Sequence, residues 1–162
     1  MIPAIIDLYS KNLDYAGRLV ADLPDASMCH QPGPGMNHPA WVLGHLAWTS
    51  DRVAGGILLQ VEPELPKRLG GPFDAQSVPS DNATIYPAKA KLLEALEKVH
   101  GRIAGELSGR SVPSLDEPTQ HERFASRFPT IGEALIHVMV GHEQVHLGQL
   151  SAWRRVQGMA SV

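Results

Sequence analysis

The sequence predicts an all-α protein, a four-helix bundle in up-down-down-up order with long loops between helices two and three and between three and four. Three observations carry that expectation. Four segments of about 20 to 28 residues repeat apolar side chains at the three-and-four spacing of a buried helical stripe. No segment alternates strictly between apolar and polar, as a half-buried strand would, and no repeat or low-complexity tract appears. Proline and glycine gather in the intervals between the four segments, where regular structure must stop.

The first helix spans residues 2 to about 22, with Ile5, Ile6, Leu8, Leu13, Ala16, Leu19, Val20 and Leu23 as its apolar positions and Pro24 ending it. Residues 24 to 38 read as loop, closed by Asn37 as the expected N-cap and Pro39 in the first turn of the next helix. That second helix, about 39 to 60, carries Trp41, Val42, Leu43, His45, Leu46, Trp48, Val53, Ile57 and Leu58. Trp41, His45, Trp48 and Arg52 share one of its faces, which turns His45 inward between two indoles. Residues 61 to 80, with Pro63, Pro66, Gly70, Gly71, Pro72 and Pro79, form a long connection rather than a turn. The third helix, about 86 to 107, buries Leu92, Leu93, Leu96, Val99, Ile103 and Leu107. After a loop over 108 to 129, Thr130 with Glu133 makes a capping box that opens the fourth helix, which runs to Gly158. A connection of ~20 residues exceeds the 2–8 usual between antiparallel bundle neighbours. It is long enough to run the length of the bundle, making helices two and three parallel and two and four antiparallel.

Length and composition fix the broad class. With 162 residues, 43% of them hydrophobic, the chain fits one globular domain over 1–162. A net charge of −3, with 14 Lys+Arg and no basic run, argues against nucleic acid or an anionic membrane as partner. No apolar stretch approaches the ~20 residues of a membrane span, and the opening residues carry no signal-peptide pattern, so a cytoplasmic protein is expected. The lone Cys29 excludes an internal disulfide framework.

The chemistry concentrates in His142-Glu143-Gln144-Val145-His146. Two histidines four apart on a helix lie one above the other, within a stripe formed by Ile131, Leu135, Val138, Met139, Val145, Leu150 and Trp153. At ~100° per residue, His142, His146 and Gln149 fall within about 60° of one another. An unpaired buried polar group costs about 1–3 kcal/mol, and a shared metal ion satisfies both rings at once. Antiparallel packing of helices two and four brings His45 to the same depth, so His45, His142 and His146 are the expected metal ligands. Neutral imidazole suits zinc, nickel or ferrous iron, and three protein ligands with open positions is the catalytic arrangement, whereas four close a structural site.

The same residues match the H-E-x-x-H motif of zinc metalloproteases. The match stops there, because Gln149 and Ala152 stand where an extended motif needs Gly and His, and no Asp or Glu follows Glu143. Glu143 is expected either as a general base or ligand support, or as an exposed helix glutamate. Arg52 and Gln149 are candidate pocket residues: Arg52 to meet an anionic substrate or form a salt bridge, Gln149 to position a ligand or bond within the core. His137, nearly opposite His146, is expected in solvent, and His100 and His121 at the surface. His30 and His38, flanking the Gly/Pro loop that enters helix two, are expected in ordinary loop roles, with lining the mouth of the site as the alternative, and Cys29 is a small buried hydrophobe rather than a nucleophile.

Asn37-His38-Pro39-Ala40-Trp41-Val42-Leu43-Gly44-His45-Leu46-Ala47, with His142-Glu143-Gln144-Val145-His146-Leu147-Gly148-Gln149-Leu150, resembles the DinB-like superfamily of bacterial metal-binding four-helix bundles. The resemblance implies an up-down-down-up bundle, often a homodimer, with ligands mapping to His45, His142 and His146. Nickel or zinc is the implied metal, with iron or manganese as alternatives. It further implies a thiol-dependent transferase acting on a small molecule, in which the metal activates the thiol of a low-molecular-weight cofactor such as mycothiol, bacillithiol or glutathione. Alternatives are a metal-dependent hydrolase, with Glu143 shuttling the proton, and a non-catalytic stress-response binding module stapled by the metal. The number of protein ligands separates catalytic from structural roles.

Overall fold

Proline in the first turn and an apolar run at helical spacing start α1 (Ile2–Val20), which buries Ile5, Tyr9, Asn12, Ala16 and Leu19 on one face. This computed structural model describes the backbone of residues 1–162 and all side chains but those of 112 and 113. α2 (Pro39–Thr49) begins at Pro39 as expected, but its N-cap is His38 rather than Asn37: the His38 ring nitrogen Nδ1 accepts from the Trp41 amide. α2 runs without a break into a π-helical segment, Ser50–Leu59, ended by Gln60 in the left-handed region at φ 57°.

The long connection that follows is not featureless. It holds a 3-10 turn at Lys67–Leu69, the one-turn α3 (Gly70–Phe73) and a second 3-10 turn at Ala83–Ile85. α4 (Lys89–Ser108) starts three residues later than the periodicity suggests, since residue 86 is still extended. The next connection carries the short α5 (Val112–Leu115) and α6 (Glu122–Ala125). α7 (Ile131–Ile136) opens on the predicted Thr130–Glu133 capping box. It passes through a second π-helical segment, His137–His142, into α8 (Glu143–Val156). Gly158, at φ 72°, closes α8 with amide bonds from Gly158 to Arg155 and from Met159 to Arg154, a Schellman ending.

The protein is all-helical, and among the described residues there is no strand, only an isolated bridge between Pro118 and Thr130. Nor is any described helix long and apolar enough to cross a membrane. α1 packs on α4 and α8, and α2 packs on the same two helices. Cross-links fix the depths at which they meet. Asn12 reaches Met139 and Val140, Arg154 reaches the Leu19 carbonyl, Asp51 pairs with Arg102, and Arg110 reaches the Leu59 carbonyl.

Two apolar clusters fill the interior. One gathers Leu19, Leu43, Leu46, Leu96, Leu150 and Trp153; the other gathers Tyr9, Leu59, Ile103, Leu107, Leu135 and Met139. Each long rod contributes to both, and where it crosses from one to the other it carries buried polar residues: Asn12 on α1, Ser50 and Asp51 after α2, His100 on α4, and Glu143 on α8. This polar layer overturns the expectation that His100 lies at the surface, since it is only 3% exposed. Val145, expected in the buried stripe of the fourth rod, is 60% exposed. Ordinary helical pitch accounts for it: at ~100° per residue Val145 lies about 160° from Leu147 and about 140° from Leu150, the buried leucines of α8.

Candidate metal centre

His45 sits just past the middle of α2, 3% exposed, with its ring stacked on Trp41 at 4.4 Å between centroids. Its Nδ1 lies 2.7 Å from the Phe73 carbonyl oxygen, so that nitrogen carries the proton and donates. The preceding residue makes this contact attainable. Gly44 faces the Phe73 ring so closely that a Cβ there would fall 2.1 Å from it, so only glycine lets α3 approach far enough to offer its carbonyl.

His142 and His146 come from the end of the second π-helical segment and from α8. The Nε2 of His142 lies 3.2 Å from Nε2 of His45 and 3.2 Å from Nε2 of His146. His146 Nδ1 is 2.9 Å from Gln149 Oε1, which also accepts from Asn37 at 2.8 Å. His146 is thereby protonated on Nδ1, like His45, and both rings present bare Nε2 lone pairs to His142.

A neutral His142 can donate to one of them at most, which leaves lone pairs opposed at hydrogen-bond distance. Protonation is a poor remedy. Burial, followed by the neighbouring imidazoles, pushes His142 down to about 3; burial likewise brings His45 to about 4 and lowers His146. A divalent cation resolves the conflict. Ligand atoms of the three rings all lie within 4.8 Å of one another, and nitrogens 3.2 Å apart suit a shared ion with Zn–N bonds of ~2.0–2.1 Å. The donor set fits a metal, and the three histidines the sequence singled out are the ones brought together.

Glu143 lies behind this cluster and is 1% exposed, so the exposed-glutamate reading is overturned. Its carboxylate accepts from Asn12 Nδ2 at 3.2 Å and Ser50 Oγ at 3.3 Å, and pairs with His100 Nε2 at 2.9 Å; none of its polar contacts is with the three histidines. Burial raises its pKa, opposed by the charge and hydrogen bond of His100. Tyr9 stacks on His100 at 3.7 Å. Asn12 also donates to the carbonyls of Met139 and Val140, inside the π-helical segment. The signal for Asn12 and His100 was present in the sequence as polar residues interrupting apolar stripes. Nothing there marked Phe73, whose contribution is a backbone carbonyl.

His137 is half-buried rather than solvated, stacked on Phe128 at 4.5 Å and 6.4 Å from the His142 ring. Counting at α-helical pitch sets it opposite His146; the wider π turn sets it five residues, about one turn, below His142. His121 is exposed and caps α6, His30 gives its carbonyl to Trp153 Nε1, His38 is the buried cap of α2, and Cys29 is buried. Gln149 is exposed and bonds His146. A cavity of about 270 Å³ opens beside the cluster, with His45, His142, His137, Arg52, Asp74 and Arg123 among its walls.

Three converging imidazoles on an all-helical scaffold define the class: a helical protein with a site that can hold a metal ion. The family described as the DinB superfamily matches residues 9–150, and the chain belongs to that superfamily. No curated protein matches the chain.

Proposed function

We propose that the chain is a metal-dependent enzyme of one domain, in which His45, His142 and His146 hold a divalent cation, nickel or zinc. The observation that carries this reading is the ligand count beside the cavity. Among the described residues the cluster offers three protein ligands and no fourth, and two of those ligands line a 270 Å³ space. That is the open arrangement of a catalytic site rather than the closed shell of a structural one. When bound, such a cation supplies the Lewis acidity that lowers the pKa of a water or thiol brought to it.

The chain's own residues hold and orient. Phe73 and Gln149 fix the His45 and His146 tautomers, so that both Nε2 atoms face inward. Trp41 covers the His45 ring, and burial keeps all three imidazoles unprotonated near neutral pH. Glu143 anchors Asn12, which holds the Met139 and Val140 carbonyls ahead of His142, rather than serving as the proton shuttle of the hydrolase reading, because its carboxylate is engaged with Asn12, Ser50 and His100.

The thiol-dependent transferase is the preferred chemistry, by resemblance within the superfamily. Cys29 is the chain's one cysteine; it is buried and its thiol is pushed up by that burial, so the reacting thiol comes from a small cofactor. The up-down-down-up order is part of the same reading. Its supports are residues pairing at rising positions on the π-helical continuation of α2 and along α4 and just past its end (51 with 102, 59 with 110), and on α1 and α8 (12 with 143, 19 with 154).

Elemental analysis of wild type beside His142→Ala and His45→Ala tests the centre, followed by a transferase screen across glutathione, bacillithiol and mycothiol. About one equivalent of metal is expected in wild type and little in either variant. Equal metal content in the three proteins would end the assignment.

A further inference from the structure

We propose that the cavity beside the three histidines takes a small organic carboxylate, held by Arg123 and Arg52 with its reacting end toward the imidazole cluster. The inference deepens the enzyme reading above and rests on it for the position of the reacting end. Its own support is the charge arrangement of the cavity.

Arg52 belongs to a network that is not charge-balanced. The buried Asp51 accepts from Arg102 and from the Glu64 and Leu65 amides, and Glu64 pairs with Lys98 and Arg102. Three cations therefore share two carboxylates. Arg52 holds the loosest place among them, its Nε 3.6 Å from Asp51 Oδ2 and buried without a hydrogen-bond partner. Its guanidinium lies over Trp48, 4.6 Å from the ring centroid, and donates to the Leu65 carbonyl, so it is positioned before any ligand arrives.

Arg123 faces the same cavity from α6. Its guanidinium lies 5.7 Å over the Phe124 ring, and it enters no ion pair among the described residues. The cavity's own carboxylate, Asp74, accepts the Gln76 amide and balances one charge at most.

One net positive charge remains, and a bound divalent cation would add to it. A single negative charge answers the arginines, and the planar guanidinium fork suits a carboxylate. Of the remaining walls all but Thr49 are apolar, with Trp48, Val53, Ile57 and Phe124 the largest, and they match a hydrocarbon body. The volume of 270 Å³ corresponds to roughly nine water molecules, which limits the ligand to on the order of ten heavy atoms.

Benzoate and its neutral isostere benzamide separate charge from shape. Calorimetric titration of each, and of inorganic phosphate, into the full chain should be run both zinc-loaded and chelated. Benzoate is expected to bind at least about tenfold more tightly than benzamide in both forms, a ratio typical of one charge-assisted hydrogen-bonded contact. Arg123→Gln should remove most of that preference and Arg123→Lys should restore part of it. Arg52→Lys keeps the charge but not the fork, and should weaken benzoate alone. Benzamide binding as well as benzoate, or Arg123→Gln leaving benzoate unchanged, would overturn the proposal, and phosphate binding more tightly than benzoate would overturn the carboxylate assignment. Zinc content of the same samples is read separately. A chain that binds no zinc yet prefers benzoate would remove the enzyme reading and keep the anion site.

Discussion

His45 shows how little of a candidate metal ligand's orientation is written in its own side chain. Its sequence neighbours place it on the inward face of α2, but the Phe73 carbonyl selects which nitrogen points at His142 and His146, and Gly44 admits Phe73. Gly44→Ala would drive a methyl group into that ring and displace α3. Zinc affinity is expected to fall by tenfold or more, the usual loss for a disturbed ligand support, while the far-UV dichroism stays that of a helical protein; chelator competition checks it. His45 was legible because an inward histidine between indoles is conspicuous. Phe73 was not, because every residue has a carbonyl and only the folded chain shows which one is used.

The same ring sets a pH dependence. The His45 pKa falls from 6.5 to about 4 on folding, so between those values the unfolded chain binds more protons than the folded one. Stability of the metal-free protein is therefore full above pH 6.5 and lost as pH falls toward 4, by about 3 kcal/mol from His45 alone. Urea unfolding of chelated protein at pH 7.5, 6 and 4.5 should give midpoints that decline in that order.

The two π-helical segments are the features of the rods that periodicity does not reveal. Helix limits came through because proline, the capping box and Gly158 are local signals. The wide turn over His137–His142 came through only as an error in the facing of His137, and that over Ser50–Leu59 not at all. Their support is tertiary. Asn12 reaches into the second segment from α1, and Glu143 joins it to Ser50, the first residue of the other. Asn12→Leu keeps the volume but takes one of three donors from the buried Glu143 carboxylate and the side-chain donor from two carbonyls. A loss of about 1–3 kcal/mol is expected. A weaker hold on zinc, measured well below the unfolding temperature, should accompany it, whereas Asn12→Asp should fare no better, since it opposes a second carboxyl to Glu143. Unchanged zinc affinity in Asn12→Leu would confine the residue to a packing role.

For the molecule as a whole, the histidine cluster ties α2 to the rod that ends in α8, so the proposed metal would also add a stability term. At a free zinc concentration 100 times the dissociation constant, wild type should gain about 2.7 kcal/mol, seen as a rise in melting temperature that EDTA reverses. His142→Ala should melt at one temperature with or without zinc. The all-helical class and the depth of the cluster were legible because four long apolar stripes and two proline-rich intervals admit few arrangements. The short helices inside the connections were not, since α3 and α6 are single turns defined by what they pack against.

The polar layer between the two apolar clusters has a further effect on how the chain can change. It acts as a registration mark for all four rods. Sliding any of them by one turn, ~5.4 Å, would set Glu143, His100 or Asp51 against leucines and strand its charge in hydrocarbon. Insertions are thus tolerable at exposed points of the connections such as 81–84 or 125–127, while a single residue added to a rod between its polar position and either cluster throws the marks out of line.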